Sequence, residues 1–161
     1  MTNFLTGFDP IANENSKILI LGSMPSVESL KKGQYYAHPQ NRFWRIMFDY
    51  FGEPFSTDYE KRVELLLKNG IALWDSVERC ERVGSLDSAI KNEQATDVMG
   101  LLQRYKGIKG VFTNGKKSAE VFEKYNRLSY VCLPSTSPAN AVYSYEKLFL
   151  AWKEQLDKFF I

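Results

Sequence analysis

The sequence predicts an α/β fold with a mainly parallel sheet, and two observations support this. Short apolar segments alternate along the chain with amphipathic stretches of helical length. The first apolar segment, residues 17–21, is unbroken and ends at Gly22, as is typical of a strand buried on both faces. Strands that alternate with helices form layered α/β folds with right-handed crossovers, in which ligands bind beyond the carboxyl ends of the strands.

The individual elements follow from this alternation. Four strands are predicted, at residues 17–21, 71–74, 108–113 and 128–133. Five amphipathic helices are predicted, at residues 41–51, 57–68, 96–105, 116–125 and 145–159. The last helix carries an apolar stripe on helical spacing, which we assign to the core and not to an interface. Its members are Leu148, Phe149, Trp152, Leu156 and Phe159.

Length and composition set the class of protein. At roughly 150 residues per domain, 161 residues predict a single domain over residues 1–161. Apolar residues make up 44% of the chain and charged residues 25%, which indicates a globular chain and excludes intrinsic disorder. The net charge is +2, so any nucleic-acid contact must be local. The sequence has no internal repeats and no low-complexity segments, which excludes solenoids and linkers.

The sequence shows no sign of a membrane or secretory protein. Its apolar runs, such as residues 18–21, are far shorter than the roughly 20 residues of a membrane span. Residues 1–10 lack the basic and apolar regions of a secretory signal, so we expect a cytoplasmic protein. Cys80 and Cys132 are too few for a disulfide framework, and with the single His38 they do not readily form a zinc site. We expect both thiols to be reduced and buried.

Polar turns follow all four predicted strands and meet at one edge of the predicted sheet. They are residues 22–26, 75–76, 114–115 and 134–140. Gly and Pro punctuate many strand ends, so each turn alone has a purely structural interpretation. The four turns together predict a ligand site at this edge. The first turn lacks the spacing of a P-loop or of a dinucleotide-binding fingerprint, which disfavours ATP and NAD.

Residues 34–44 hold the densest group of polar and aromatic side chains in the chain. Aromatic rings that stack, together with nearby basic side chains, suit a flat base and its phosphates. The basic residues are Lys31, Lys32, Arg42 and Arg45. The same aromatic residues can instead anchor the start of a helix, with Asn41 as its N-cap.

Other hydrolase signatures are missing. For His38, which precedes a proline, we favour a loop hydrogen bond over a catalytic role. No serine-histidine-aspartate order and no paired-carboxylate motif indicates a serine hydrolase or a two-carboxylate glycosidase. Residues 134–140, with two prolines and several hydroxyls, suit contact with a phosphate backbone or a groove, or form only a polar loop before the last helix.

Four segments together resemble the uracil-DNA glycosylase superfamily, and most of all its hypoxanthine-DNA (deoxyinosine) glycosylase branch. The segments are residues 21–26, 34–44, 114–115 and 135–140, and the likeness runs from about Gly7 to Trp152, including residues 73–75 and 84–87. The resemblance implies a three-layer αβα sandwich around a four-stranded parallel sheet. It further implies a monofunctional enzyme that flips a deaminated base out of DNA and hydrolyses its N-glycosidic bond.

The resemblance also implies roles for single residues. Asn41 matches the catalytic amide, which would place a water molecule on C1′ of an oxocarbenium-like sugar. Tyr36 matches the aromatic that stacks on the flipped base, and Asn114 matches the pocket amide that bonds N1–H and O6 of hypoxanthine. The pocket floor would be formed by Gly22, Ser23, Met24 and Pro25. The loop pressed into the minor groove would include Ser135, Thr136, Ser137, Pro138 and Asn140.

Two departures from the family pattern, and the lack of a suitably placed lysine, limit the expected activity. Other superfamily members carry His-Pro-Ser-Pro where this chain has a serine at position 135, and its neutral hydroxyl predicts inefficient uracil excision. Iron-sulfur members use four cysteines and this chain has two, so we expect no metal and no other cofactor. No lysine in the motifs is placed as a Schiff-base nucleophile, which predicts no strand-cleaving lyase activity.

We therefore expect a DNA-deoxyinosine glycosylase, with xanthine or uracil as minor substrates. Its partner would be single- or double-stranded DNA that contains a deaminated base, and we expect a monomer without membrane contact. Three alternatives stay open: a nucleic-acid binding module of the same fold without turnover, a uracil-preferring mismatch glycosylase, and a hydrolase of free nucleosides or nucleotides. The basic residues near residues 34–44 count against the last alternative.

Overall fold

A parallel sheet of four strands lies at the centre of the protein, in a computed structural model that describes residues 4–161. The described residues form strands of two sheets, which are in chain order β1 (Phe4–Thr6), β2 (Ile18–Gly22), β3 (Ile71–Asp75), β4 (Val77–Glu81), β5 (Lys91–Ala95), β6 (Gly110–Asn114) and β7 (Val131–Leu133). The central sheet has the spatial order β3-β2-β6-β7, and each of its pairings is parallel. The predicted four-stranded parallel sheet is therefore confirmed.

Helices cover both faces of this sheet. They are α1 (Val27–Lys32), α2 (Phe43–Phe51), α3 (Tyr59–Lys68), α4 (Val98–Arg104), α5 (Lys116–Tyr125) and α6 (Tyr145–Phe160). Side chains alternate along β2, so Ile18 and Ile20 pack with α2, α3 and α6, whereas Leu19 and Leu21 pack with α4 and α5. This arrangement is the three-layer αβα sandwich that the resemblance implied.

Local signals set where the helices near the predicted site begin and end. The hydroxyl of Ser26 accepts the N–H of Ser29 and starts α1, which was not predicted because six residues are too few to show an apolar period. Helix α2 begins after Arg42, and Oδ1 of Asn41 accepts the N–H of Phe43 at 3.0 Å. Asn41 thus supports the helix start, from one position before the N-cap.

A second, antiparallel sheet with the order β1-β4-β5 lies beside the central one and was not predicted. Strand β4 buries only Val77 and Cys80, and β5, which reads Lys-Asn-Glu-Gln-Ala, is largely exposed. Neither strand shows the apolar–polar alternation from which a half-buried strand is predicted. The buried side of the small sheet forms its own apolar cluster with Met24 and Ile90.

The other predicted elements are present with small shifts at their ends. The third strand of the central sheet begins at Gly110 and the last at Val131, each later than predicted. Leu148, Trp152 and Leu156 of α6 are fully buried and Phe149 is half-buried against the same cluster, so this part of the apolar stripe belongs to the core as predicted. Phe159, near the end of the helix, is 37% exposed, so its predicted burial is wrong. Within residues 4–161, no helix is both long and apolar enough to cross a membrane.

The two cysteines lie in different environments. Cys80 is buried in the small sheet, as predicted, whereas Cys132 is exposed. The prediction of burial fails for Cys132 because it lies on β7, the outermost strand of the central sheet. Both thiols are free.

Candidate active site

Three strands of the central sheet end at one edge and bring together residues from distant parts of the chain. Gly22 closes β2 and pairs in register with Asp75, the last residue of β3. Asn114 closes β6, on the other side of β2. All three residues lie at the carboxyl ends of parallel strands, where ligands bind in open α/β sheets. The predicted site edge therefore contains Asp75, Gly22 and Asn114 in that order.

The side-chain amide of Asn114 is the centre of a hydrogen-bonded network. Its Nδ2 donates to the hydroxyl of Tyr36 at 3.1 Å and to Oγ1 of Thr136 at 2.9 Å. Its Oδ1 accepts the backbone N–H of Thr136 at 3.0 Å. Asn114 is 8% exposed. Three of the segments that carry the family resemblance are thus in direct contact, and both N–H groups of the amide are occupied.

Tyr36 is held in an uncommon backbone conformation. Its φ of 51° lies in the left-handed region, which residues other than glycine rarely adopt. Its ring stacks on Phe43 with centroids 4.3 Å apart and 25° between the planes, so one face is covered by protein. Burial, and then the carboxyl of Asp75, raise the pKa of Tyr36. The hydroxyl therefore stays neutral and keeps a proton to donate.

Asn41 is tied to this network through the residue that follows it. The backbone N–H of Arg42 donates to the carbonyl of Thr136 at 3.1 Å. Asn41 is half-buried, and its own N–H donates to the carbonyl of His38 at 2.9 Å. Among residues 4–161, its Nδ2 makes no hydrogen bond. The Asn41 amide is therefore rigidly placed and has donors left for a ligand.

Arg42 clamps the loop that follows β7. Its guanidinium donates to the carbonyl oxygens of Tyr143 at 2.7 Å, Asn140 at 3.0 Å and Ser137 at 3.2 Å. These bonds use the guanidinium inside the protein, so the expectation that Arg42 contacts a phosphate does not fit the geometry. Its role is to hold the loop.

The remaining basic residues near residues 34–44 lie at the surface. The guanidinium of Arg45 lies 3.6 Å from the ring centroid of Tyr145, on the exposed side of α2. Lys31 and Lys32 are exposed at the end of α1. Lys31 and Lys32 are thus the members of the predicted basic group that are free of such side-chain contacts.

The loop expected to enter the minor groove has an inner and an outer part. Thr136 is fully buried, so its side chain holds Asn114 and does not reach a DNA groove, which corrects its expected role. Pro138 is exposed, and Ser135, Ser137 and Asn140 are half-buried. Ser135 stiffens the loop, because its Oγ accepts the N–H of Ser137 at 3.1 Å and its carbonyl accepts Nδ2 of Asn140 at 3.0 Å. The part that remains for a DNA contact is centred on Pro138.

Residues 22–25, which were expected to form the pocket floor, face two different sides. Gly22 faces the site, since a Cβ there would lie 2.5 Å from Oδ1 of Asp75 and 2.8 Å from the hydroxyl of Tyr36. Only glycine permits this approach. Met24 packs on the other side, in the apolar cluster of the small sheet. The side chain of Met24 therefore does not face the predicted site, so a contact with substrate at this position would use its backbone.

Ser23 and Pro25 anchor the floor to residues 82–87. The hydroxyl of Ser23 donates to Oδ1 of Asp87 at 2.6 Å. The carbonyl of Pro25 accepts a hydrogen bond from Nη2 of Arg82 at 2.6 Å. The two bonds fix the turn after β2 against the second sheet, so the Ser23 hydroxyl and the Pro25 carbonyl support the floor.

Asp75 is a site residue to which the sequence analysis gave no role. It is 4% exposed, and its Oδ2 has no hydrogen-bond partner among the described residues. Burial, and then the charge of Asp87, raise the pKa of Asp75 to about 7, against the opposing effect of Arg82. A carboxyl of this kind exchanges its proton near neutral pH. The signal in the sequence was its position, at the end of a buried strand and at the same edge as Asn114.

His38 has a structural role, as predicted. Its Nδ1 accepts the N–H of Gln40 at 3.1 Å, which shapes the turn before α2. Within the described part of the chain, no group of three or more His, Cys, Asp or Glu side chains is placed to hold a metal ion.

Two surface cavities lie away from this edge. One, of about 830 Å³, lies beside Lys17, Gly70 and Lys153, and the other, of about 440 Å³, lies beside Gly33 and Tyr35. Neither contains a residue of the predicted site. At the predicted edge both N–H groups of Asn114 are bonded, so a ligand that binds to one of them must displace Tyr36 or Thr136.

Comparisons with known proteins agree with this architecture. Residues 10–159 match the family model of the uracil DNA glycosylase superfamily. A protein named hypoxanthine DNA glycosylase from Methanosarcina barkeri (strain Fusaro / DSM 804) is 41% identical over 137 residues, which cover 83% of this chain and 87% of that protein. A second protein of that name, from Methanosarcina acetivorans, is 40% identical over 141 residues, covering 86% and 89%.

A solved structure shows the same fold. The NMR structure of a protein from Methanosarcina acetivorans, described as a uracil DNA glycosylase, superposes with a TM-score of 0.79 at 36% identity, and the match covers 94% of this chain and 98% of that one. The match in fold extends the match in sequence over nearly the whole chain. The chain belongs to the uracil-DNA glycosylase superfamily.

Proposed function

We propose that the protein is a monofunctional DNA glycosylase that removes hypoxanthine from deoxyinosine in DNA. The observation that carries this proposal is the contact of Asn114 with Tyr36 and Thr136, on a backbone that also fixes Asn41. An amide suited to a base edge, a ring suited to stacking and a second amide suited to a water molecule thus share one edge of the sheet. The relatives named hypoxanthine DNA glycosylase support the choice of base.

Recognition of the base uses the amide of Asn114. Its two bonds with Thr136 fix its orientation, which leaves a lone pair on Oδ1 and the N–H that now bonds Tyr36. Hypoxanthine offers the complement, an N1–H donor beside an O6 acceptor. A base that enters therefore replaces the bond to the Tyr36 hydroxyl, while the bonds to Thr136 stay in place. The same contacts take up charge on the departing base.

Asn41 places the attacking water. An amide is too weak a base to deprotonate water at neutral pH, but an oxocarbenium-like C1′ needs a well-placed water more than a deprotonated one. One lone pair of Oδ1 is used by the N–H of Phe43, and the other is available to accept a water O–H. Asn41 would thus orient the water from a position fixed by α2.

DNA binding would use the loop around Pro138 and the lysines at the end of α1. The Arg42 clamp holds the loop rigid, so that it can press on a groove without being displaced. Lys31 and Lys32 are exposed and can contact phosphates. Flipping a base costs a few kcal/mol and is cheapest at a mispair, so selection for deaminated bases begins before the chemistry.

The test is a strand-cleavage assay on duplexes that carry one inosine, xanthine or uracil, each analysed with and without alkali. We expect the inosine strand to break only after alkali, because a monofunctional glycosylase leaves an intact abasic site. Asn41→Ala should abolish base release and keep affinity for abasic DNA. The matched control is Asn41→Ser, whose hydroxyl can still cap α2 but has no amide, so it should fold normally and remain inactive.

The other outcomes identify the alternatives. Release of uracil alone would keep the superfamily and replace the substrate. Release from free inosine, without need for a duplex, would point to a nucleoside hydrolase. Binding of abasic DNA with no release from any duplex would indicate a binding module.

We also propose that the enzyme acts as a monomer in the cytoplasm. Cys80 and Cys132 are both free thiols, which suits a reducing compartment. Gel filtration with and without a short abasic duplex tests the monomer, since a dimer would elute at twice the mass.

A further inference from the structure

The carboxyl of Asp75 lies at the site edge and has no role in the proposed function. Asp75 is 4% exposed and makes no ion pair among the described residues, and its Oδ2 has no hydrogen-bond partner. Buried polar groups are otherwise almost always bonded, and a buried carboxyl without a partner is costly to the fold. A residue kept in this state at a substrate site calls for a functional explanation.

Asp75 feels the charge of Arg82 but forms no ion pair with it. The Tyr36 hydroxyl and Asp75 Oδ1 approach Gly22 from the same side. Arg82 lies near, and its Nη2 and Nε donate to the carbonyls of Pro25 and Gly84 at 2.6 and 2.7 Å, whereas its Nη1 is buried and makes no hydrogen bond among the described residues.

Three further titratable groups face this carboxyl from the packed elements. They are Tyr35, Tyr36 and Asp87. Of these, Asp87 opposes ionisation of Asp75 by its like charge, and both tyrosines stay neutral because their own pKa is raised.

The reaction needs a proton at the departing base. When the C1′–N9 bond breaks, its electron pair goes to the purine, whose ring nitrogens N3 and N7 carry in-plane lone pairs. The Asn41 and Asn114 amides are too weakly acidic to transfer a proton to the base. The Tyr36 hydroxyl at the same edge also carries a proton, but its raised pKa makes it a far weaker acid than the Asp75 carboxyl. Asp75 is therefore the stronger acid at the edge that contains Asn114.

We propose that Asp75 in its neutral form protonates a ring nitrogen of hypoxanthine as the base departs. The proposal rests on the proposed function. In this step the water oxygen bonds to C1′, the C1′–N9 bond breaks with both electrons to the base, and the carboxyl proton moves to the base nitrogen. The water then loses a proton to solvent, and Asp75 regains one from solvent. The base leaves neutral, and the sugar becomes an abasic site.

This assignment accounts for a preference for purines. Uracil has no ring nitrogen with a free in-plane lone pair, so the acid has no equivalent acceptor on it. At physiological pH a sizeable fraction of Asp75 carries the proton that the step needs, because burial raises its pKa to about 7. The phosphates of bound DNA and the exclusion of water favour the neutral form further.

The test is the pH dependence of single-turnover base release from an inosine duplex. The wild-type rate should fall as the pH rises above about 7. The rate of Asp75→Asn should not show this fall above about pH 7, which we call the basic limb of the pH profile. At pH 6 the variant should react on the order of 100-fold more slowly than wild type, which is the usual effect of losing a general acid. Asp87→Asn removes the like charge and should move the limb to lower pH. An unchanged limb in Asp75→Asn, or a rate within about 3-fold of wild type, overturns the proposal.

Two further measurements exclude a folding defect and identify the acceptor. Asp75→Asn should melt no lower than wild type and bind abasic DNA equally well, so its slow rate cannot come from unfolding. The analogues 7-deaza- and 3-deaza-deoxyinosine each lack one of the two ring nitrogens that can accept the proton. On the analogue that lacks the acceptor, wild type and Asp75→Asn should release the base at the same rate. A full difference on both analogues rules the proton transfer out.

Failure of the two proposals is distinguishable. If the wild type releases no base from inosine, xanthine or uracil duplexes, the proposed function fails and this inference with it. If the wild type releases hypoxanthine and Asp75→Asn keeps its rate and profile, only the role of Asp75 is overturned.

Discussion

Thr136 and Asn114 hold each other by two hydrogen bonds across 22 positions of sequence. The backbone N–H of Thr136 donates to Oδ1 of Asn114 at 3.0 Å, and Nδ2 of Asn114 donates to Oγ1 of Thr136 at 2.9 Å. The pair is buried, so neither bond competes with water. The arrangement decides which way the amide faces, because a flipped amide would set donor against donor at the Thr136 N–H.

Thr136→Val tests this pairing. Valine keeps the volume and the backbone N–H but removes the acceptor of one Asn114 N–H. We expect a loss of about 1 kcal/mol in unfolding free energy. Base release should fall roughly 10-fold, because the amide loses part of its alignment. Urea unfolding and single-turnover rates measure the two effects. Thr136→Ser, which keeps the hydroxyl, should retain most of the activity; equal losses in both variants would speak against the pairing.

The central sheet could be predicted because its signal is local. The four residues 18–21 are all apolar, and both of their faces are covered by helices, so the run itself marks the strand. The small sheet could not be predicted, because β5 is polar and largely exposed and is held by its pairing with β4. Pairing between distant strands leaves no periodicity in a strand that buries so little.

The site could be predicted in part. The rule that ligands bind beyond strand ends, together with the family resemblance, identified Asn114 and Tyr36, which are in contact. It could not show that Arg42 would be used by three loop carbonyls, because a basic residue has the same sequence signal in either role. Nor could it show that the Met24 side chain packs in the small sheet and not at the site, because neighbouring residues in a turn can face opposite layers.

Gly22→Ala tests how closely the floor is fitted. The added Cβ would lie 2.5 Å from Asp75 Oδ1, so the carboxyl or the strand must move. Overpacking of this kind costs about 1–3 kcal/mol, and a misplacement near 1 Å can reduce a rate about 100-fold. We expect both effects in thermal unfolding and in base release. Gly7→Ala is the control, since its nearest neighbour would lie at an ordinary 3.5 Å; a mild phenotype for Gly22→Ala would show that the floor is loose.

Arg42→Ala tests the clamp on the loop after β7. Loss of three charge-assisted bonds should destabilise the protein by about 2–3 kcal/mol and free the loop. We expect weaker binding of abasic DNA, by roughly 10-fold or more, because a mobile loop must be ordered on binding. Arg45→Ala removes the same charge at a position without these bonds. If the two variants lose equal affinity, the charge and not the clamp explains the effect.

The stability of the protein should depend on the ionisation of Asp75. Its pKa is about 7 in the folded protein, against an ordinary value of 3.8 for a solvated aspartate, so between these values the folded state holds the extra proton. Unfolding free energy should therefore fall as the pH rises from about 4 to about 7, and the penalty should stay constant above that. Asp75→Asn removes the penalty, so its advantage over wild type should grow across the same window to about 4 kcal/mol. Urea unfolding of both proteins at several pH values measures the difference. An advantage that is equal at pH 4 and pH 8 would mean that folding does not raise the pKa of Asp75. Asp75 would then be ionised at neutral pH and could not act as the proposed proton donor.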